Sequence, residues 1–142
     1  MQTKENNKKY TAVILAGGFG SRLKSIIPNL PKPLAPIQET PFVDFILGQL
    51  IKNHISKVIF SLHYKANKII NYLEKNVHLD MKVNYVVESE ALGTGGAVNY
   101  VLSKFSMLEL FLVVNGDTYV DFCFEDMLRS LGKEADHGCI GL

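Results

Sequence analysis

The chain has no tryptophan, only two cysteines, and a net charge of only +1 over 142 residues. Each shortage excludes something. Cys123 and Cys139 stand far apart and lack metal-ligand spacing, so they read as free thiols in a reducing compartment. The near-zero charge leaves no clustered basic excess for a nucleic-acid partner. No apolar run approaches the ~20 residues that cross a bilayer, so no membrane partner is expected. Met1 to Lys9 is polar and lacks the apolar centre of a signal peptide. Positions 1–9 are expected to form a flexible leader, and the protein to be cytoplasmic. His54, His63, His78 and His137 share no metal spacing and read as surface or boundary residues.

What is present is a core with a rhythm. Hydrophobic residues make up 47% and charged residues 20%, enough for one globular domain. Strand signals run over Tyr10 to Leu15, Lys57 to Leu62, Lys82 to Val87 and Leu110 to Val114. The last is an unbroken apolar run, which predicts burial on both faces. Helix signals run from Thr40-Pro41 to about Asn53, with Thr40 as N-cap and Pro41 at the first helical position. Further helices are expected over Asn67 to Glu74, Gly95 to Lys104 and Phe124 to Leu131. His137 to Leu142 reads as the opening of a fifth strand. Between the first strand and the first helix, Pro28, Pro31, Pro33 and Pro36 forbid any long helix. This alternation predicts a parallel sheet with helices on both sides, whose ligands bind beyond the carboxyl ends of the strands.

Three segments fall at those ends, Ala16 to Arg22, Glu88 to Gly96 and Asn115 to Asp117, and one further motif lies in the proline-rich connector. The first strand runs straight into Gly17, Gly18 and Gly20, followed by Arg22. Bare amides and permitted positive φ let such a loop cradle phosphate oxygens, and a guanidinium adds a fixed charge suited to them. A Walker A loop is excluded, since no Gly-Lys-Ser/Thr follows. The loop is a poor dinucleotide fingerprint too, because Leu23 stands where its third glycine belongs, which leaves a dinucleotide-binding oxidoreductase a distant reading. The bland reading is a tight turn, which does not need three glycines and an arginine. Pro31-Lys32-Pro33 comes next. Flanking prolines fix the direction of Lys32, and a pre-aimed ammonium screens negative charge at a phosphate. Alone, Lys32 would read as a solvated lysine. Third, Glu88 opens the run to Gly93, Thr94, Gly95 and Gly96, where a flat ring can approach the backbone, or where a flexible connector simply starts a helix. Fourth, Asn115-Gly116-Asp117 is either a common turn or a carboxylate placed for Mg²⁺, a hard cation that takes oxygen ligands. Asp121 reads as a surface residue.

In this order the motifs resemble the sugar-phosphate nucleotidyltransferases, or nucleotide-sugar pyrophosphorylases. The pattern G-G-x-G-x-R-L is met by Gly17 to Leu23, P-K-P by Pro31 to Pro33, and N-G-D by Asn115 to Asp117. E-x-x-P-L-G-T is met by Glu88 to Thr94, except that Ala91 replaces the proline. The stretches Arg22 to Ile27, Pro31 to Ile37 and Pro41-Phe42 look closest to the D-glycero-α-D-manno-heptose 1-phosphate guanylyltransferase branch. The resemblance covers 10–142. It implies an α/β, Rossmann-like three-layer sandwich with a mainly parallel sheet, of which this chain would be the nucleotide-binding part, shortened at its C-terminus.

The implied reaction joins a nucleoside triphosphate and a sugar 1-phosphate, releasing pyrophosphate. Arg22 would hold the β,γ-phosphates and Lys32 the α-phosphate, as the catalytic residues. Leu15, Ala16, Gly17, Gly18, Gly20, Glu88, Gly93 and Thr94 would bind nucleotide, and Asp117 would bind Mg²⁺. The residue matching Glu88 lies at the base edge. A carboxylate accepts the adjacent N1–H and amine donors of guanine, whereas the carbonyls flanking N3–H of uracil repel it. GTP is therefore favoured, with heptose 1-phosphate as the sugar. Mannose 1-phosphate guanylyltransferase, a glucose 1-phosphate uridylyl- or thymidylyltransferase, or a non-catalytic nucleotide-binding module are the alternatives. With one carboxylate for the metal, the chain is expected to bind nucleotide weakly and turn over poorly. A homo-oligomer is left open.

Overall fold

The computed structural model describes residues 10–21, 26–76, 81–105 and 110–130. Among the described residues four parallel strands form the central sheet: β1 (Tyr10–Ala16), β4 (Ile55–Leu62), β5 (Lys82–Val87) and β6 (Phe111–Asn115). A separate antiparallel ladder joins the two-residue strands β2 (Pro36–Ile37) and β3 (Thr40–Pro41). Helices α1 (Phe42–Lys52), α2 (Ala66–Lys75), α3 (Gly93–Lys104) and α4 (Phe124–Ser130) complete the described elements. None of the described helices is long and apolar enough to cross a membrane.

β1 is apolar at nearly every position because it is covered on both faces. Ala12, Ile14 and Ala16 face a large core with Ile46, Leu47 and Leu50 of α1, Ile69 and Leu73 of α2, and Phe124 of α4. Val13 faces the opposite way, against Ile59, Val86 and Val101 of α3. The three-layer arrangement expected from the sequence is thus present.

The sheet order β5-β4-β1-β6 places the chain reversal beside β1. The chain moves outward from β1 through β4 to β5, then returns through α3 to β6 on the other side of β1. The loops after β1 and β6 therefore start side by side at the carboxyl ends of neighbouring parallel strands, where ligands of such sheets bind.

Two expectations are corrected. Thr40 does not cap α1: Thr40 and Pro41 pair with Ile37 and Pro36, and Pro41 itself stands at the N-cap. β6 is not buried on both faces. Only Leu112 is buried, and Val113 is 40% exposed, because β6 is the edge of the described sheet. α1 ends at Lys52, and the proline-rich stretch contains one 3-10 turn, Lys32–Leu34, and no long helix. The strand expected from His137 to Leu142, the leader, Cys139, His78, Leu131 and Arg22 lie outside the described residues.

Candidate active site

The site is assembled where β1 and β6 end. Gly116 N–H donates to the Leu15 carbonyl at 2.8 Å, tying the N-G-D turn to the last residues of β1. A β-carbon on Gly116 would fall 2.9 Å from both the Leu15 carbonyl oxygen and Ala16 Cβ. No side chain fits there, so glycine is what lets the two strand ends meet and delivers Asp117 to the mouth of the crevice.

The Pro31-Lys32-Pro33 turn brings Lys32 to the same place. Leu34 N–H donates to the Pro31 carbonyl and Ala35 N–H to the Lys32 carbonyl, which closes the turn. Pro33 and Leu34 are buried, anchoring it. Lys65 and Lys68, at the start of α2, donate to the carbonyls of Pro28 (2.6 Å) and Asn29 (2.5 Å) and fasten the preceding segment. Lys32 Nζ reaches Asp117 Oδ2 at 2.7 Å. Burial alone would raise the Asp117 carboxyl. Hydrogen bonds from Lys32 and Thr118, with the lysine charge, instead hold it below its ordinary value of 3.8. Gly20 adopts φ +57°, and a β-carbon there would lie 3.3 Å from Lys32 Cβ, so the glycine loop folds closely over the lysine stem.

Two adjoining cavities share these residues. The smaller is lined by Ala16, Gly18, Gly20, Lys32 and Asp117. The larger, about 250 Å³, runs from Asp117 and Gly18 past Gly17 to Glu88, Gly93 and Thr94. Leu15 lines both. Every expected site residue within the described residues therefore lines one continuous crevice. Gly93 and Thr94 are the first residues of α3 rather than a flexible connector.

Glu88 is buried at the far end. Its Oε1 accepts from the Ser61 hydroxyl at 2.7 Å and its Oε2 from the Leu92 N–H at 3.1 Å. Its main chain is also held: Glu88 N–H donates to the Leu62 carbonyl at 2.7 Å, and the His63 ring Nδ1 donates to the Glu88 carbonyl at 3.0 Å. His63 also meets the Phe19 ring edge-on, 5.4 Å between centroids, linking Glu88 to the glycine loop. Ser61 and His63 were not legible as site residues, and His63 is more than a boundary residue. The available signal was their place at the carboxyl end of a strand in a parallel sheet.

Asp117 offers one oxygen ligand for a divalent cation. Among the described residues no group of three or more His, Cys, Asp or Glu comes together, and Asp121 is exposed. Mg²⁺ is commonly held by one or two carboxylates with substrate phosphates and several waters, so this donor set fits one protein position of such a shell.

The comparisons with known proteins agree with this geometry. The nucleotidyl transferase family profile matches residues 11–141. The chain is 48% identical over 110 residues to D-glycero-alpha-D-manno-heptose 1-phosphate guanylyltransferase of Campylobacter jejuni, covering 78% of this chain and 48% of that protein. It is 43% identical over 107 residues to the enzyme of the same name from Aneurinibacillus thermoaerophilus, covering 75% and 46%. HddC from Yersinia pseudotuberculosis, solved complexed with GMP-PN, matches with a TM-score of 0.78 at 38% identity, over 87% of this chain and 55% of that one. The chain spans about half the length of the curated relatives it matches. A glycine loop, a proline-framed lysine and an N-G-D turn on one crevice of a parallel sheet, together with these matches, place the chain in the nucleotidyl transferase family.

Proposed function

We propose that the chain is the nucleotide-binding part of a sugar 1-phosphate guanylyltransferase that uses GTP and, by preference, heptose 1-phosphate. The observation that carries this reading is the crevice itself, with a buried, fixed carboxylate at one end and a lysine–aspartate pair at the other. The two guanylyltransferases and the GMP-PN complex among its relatives support it.

In this reading the base lies against Glu88 and the triphosphate runs along Gly17, Gly18 and Gly20 toward Lys32. The phosphate of the sugar attacks the α-phosphorus in line and pyrophosphate leaves. No covalent nucleophile is required of the protein, and positioning with charge neutralisation does most of the work. Lys32 neutralises charge at the α-phosphate, and Arg22 holds the leaving phosphates. Asp117 holds Mg²⁺, which when bound supplies further positive charge at the phosphates. Lys32 and Asp117 have to part for this, and an exposed pair gives little resistance. The product would be GDP-heptose for bacterial surface polysaccharide, made in the cytoplasm.

The base assignment is tested with Glu88→Gln. GTP affinity is expected to fall about tenfold or more, and UTP affinity much less, since a hydrogen bond to a charged group contributes about 1.5–3 kcal/mol. Equal losses for the two nucleotides would remove Glu88 from base reading. The sugar assignment is tested on the full reading frame by pyrophosphate release from GTP with heptose, mannose and glucose 1-phosphates. Fastest release with glucose 1-phosphate and UTP would overturn it.

A further inference from the structure

We propose that Ser61 is a specificity-determining positioning residue, which sets base selection by locking the plane of the Glu88 carboxylate. The inference rests on the reading of Glu88 as the group that meets the base.

Parallel pairing supplies the geometry. Ser61 pairs with Val86 and Leu62 with Val87, so Glu88 emerges one residue beyond the end of β5, level with the end of β4. Three consecutive residues of β4 and its exit then each take one group of Glu88: Ser61 the Oε1 atom, Leu62 the N–H, His63 the carbonyl. The two main-chain bonds fix where the side chain begins but leave its torsions free. Among the described residues, Ser61 and the Leu92 N–H act on the carboxylate itself.

A carboxylate offers about four acceptor sites, two on each oxygen. Ser61 and Leu92 occupy one site on each, leaving one on each for a ligand. Guanine presents N1–H and its amine side by side, and both bonds form only when the two oxygens lie in the plane of the base. Ser61 is fully buried, so its hydroxyl has no water to turn to and holds Oε1 continuously. The same rigidity works against the wrong base. A uracil carbonyl facing Oε1 or Oε2 meets an oxygen that cannot swing aside, which is discrimination by repulsion as well as by fit. A β-carbon on Gly17 would lie 3.2 Å from Oε1, so the glycine leaves that oxygen reachable from the crevice.

The test measures GTP, ITP and UTP binding to the chain by titration calorimetry. ITP keeps N1–H and lacks the amine, so the GTP/ITP ratio reads the second hydrogen bond alone. Ser61→Ala is expected to lower GTP affinity about tenfold and to shrink the GTP/ITP ratio, with UTP unchanged or improved. Ser61→Cys keeps the volume with a weaker donor and should fall between, and it decides the matter if Ser61→Ala does not fold. In a Glu88→Gln background, Ser61→Ala should not alter the ratio further. Uniform loss for all three nucleotides would mark Ser61 as merely structural and overturn the proposal. An unchanged GTP/ITP ratio in the Ser61 variants, with Glu88→Gln still altering base preference, would overturn it while sparing Glu88. Unchanged base preference in Glu88→Gln would take down both.

Discussion

Lys32 and Asp117 show how differently one contact weighs on stability and on function. Their side chains are 37% and 41% exposed, so solvent screens the ion pair and it contributes only about 0–1 kcal/mol to folding. Lys32→Ala and Asp117→Asn should therefore melt within a few degrees of the parent while Mg²⁺-dependent GTP binding weakens about tenfold or more in each. Melts and GTP titrations on the same samples check both halves. The pH dependence has a definite sign. The folded Asp117 carboxyl sits below its ordinary 3.8, so its contribution is complete above that value and disappears as pH falls through the lowered one. The small stability gap between parent and Asp117→Asn should be flat down to about pH 5 and close in stronger acid. Lys32, Asp117 and the glycines were legible in sequence because each is close in the chain to the residues that aim it. Ser61 and Glu88 are 27 residues apart, and the β4–β5 register that joins them is not a local property.

At the scale of elements, local signals found where helices and strands lie but not always how they end or how deeply they sit. β5 runs over Lys82–Val87, the bounds its strand signal gave. Thr40 has the chemistry of a cap, yet it is spent in a ladder with Ile37, a pairing that depends on the turn between β2 and β3. The contact of α1 with α2 carries a testable polar bond. Tyr72 on α2 donates to Asp44 Oδ2 on α1 at 2.6 Å, and the buried Oδ1 has no partner among the described residues. Burial, then the hydrogen bond and charge of Asp44, push the Tyr72 phenol up from 10.0 to about 12. The raised value means that this contribution is complete below pH 10 and is lost as pH rises through about 12. Tyr72→Phe is expected to cost about 1 kcal/mol at neutral pH, a gap that narrows only in strong alkali. Denaturant titrations at pH 7 and 11 check the gap. Spectrophotometric titration should find a late-ionising tyrosine in the parent that Tyr72→Phe lacks.

Across the whole molecule, the crevice exists because the sheet order reverses beside β1, and a ligand bridging β1, β6 and the start of α3 should stiffen all three. GTP with Mg²⁺ at about a hundred times its Kd should stabilise the chain by about 2.7 kcal/mol. For a domain of this size that is a rise in Tm of roughly 5–11 °C. UTP at the same concentration should give a smaller shift, and a thermal shift series with both nucleotides, with and without Mg²⁺, measures it. No shift with GTP would mean that the folded chain does not bind it. The sequence by itself determined the parallel α/β alternation, the glycine loop, the framed lysine and the N-G-D turn, because periodicity, proline stiffness and turn chemistry act over a few residues. Tertiary structure alone decided that β6 is the edge of the described sheet, that Gly116 must touch β1, and that Ser61, Leu62 and His63 close around Glu88. Those contacts arise from strand order and register, which are set by how the two faces of the sheet are covered and not by any short stretch of chain.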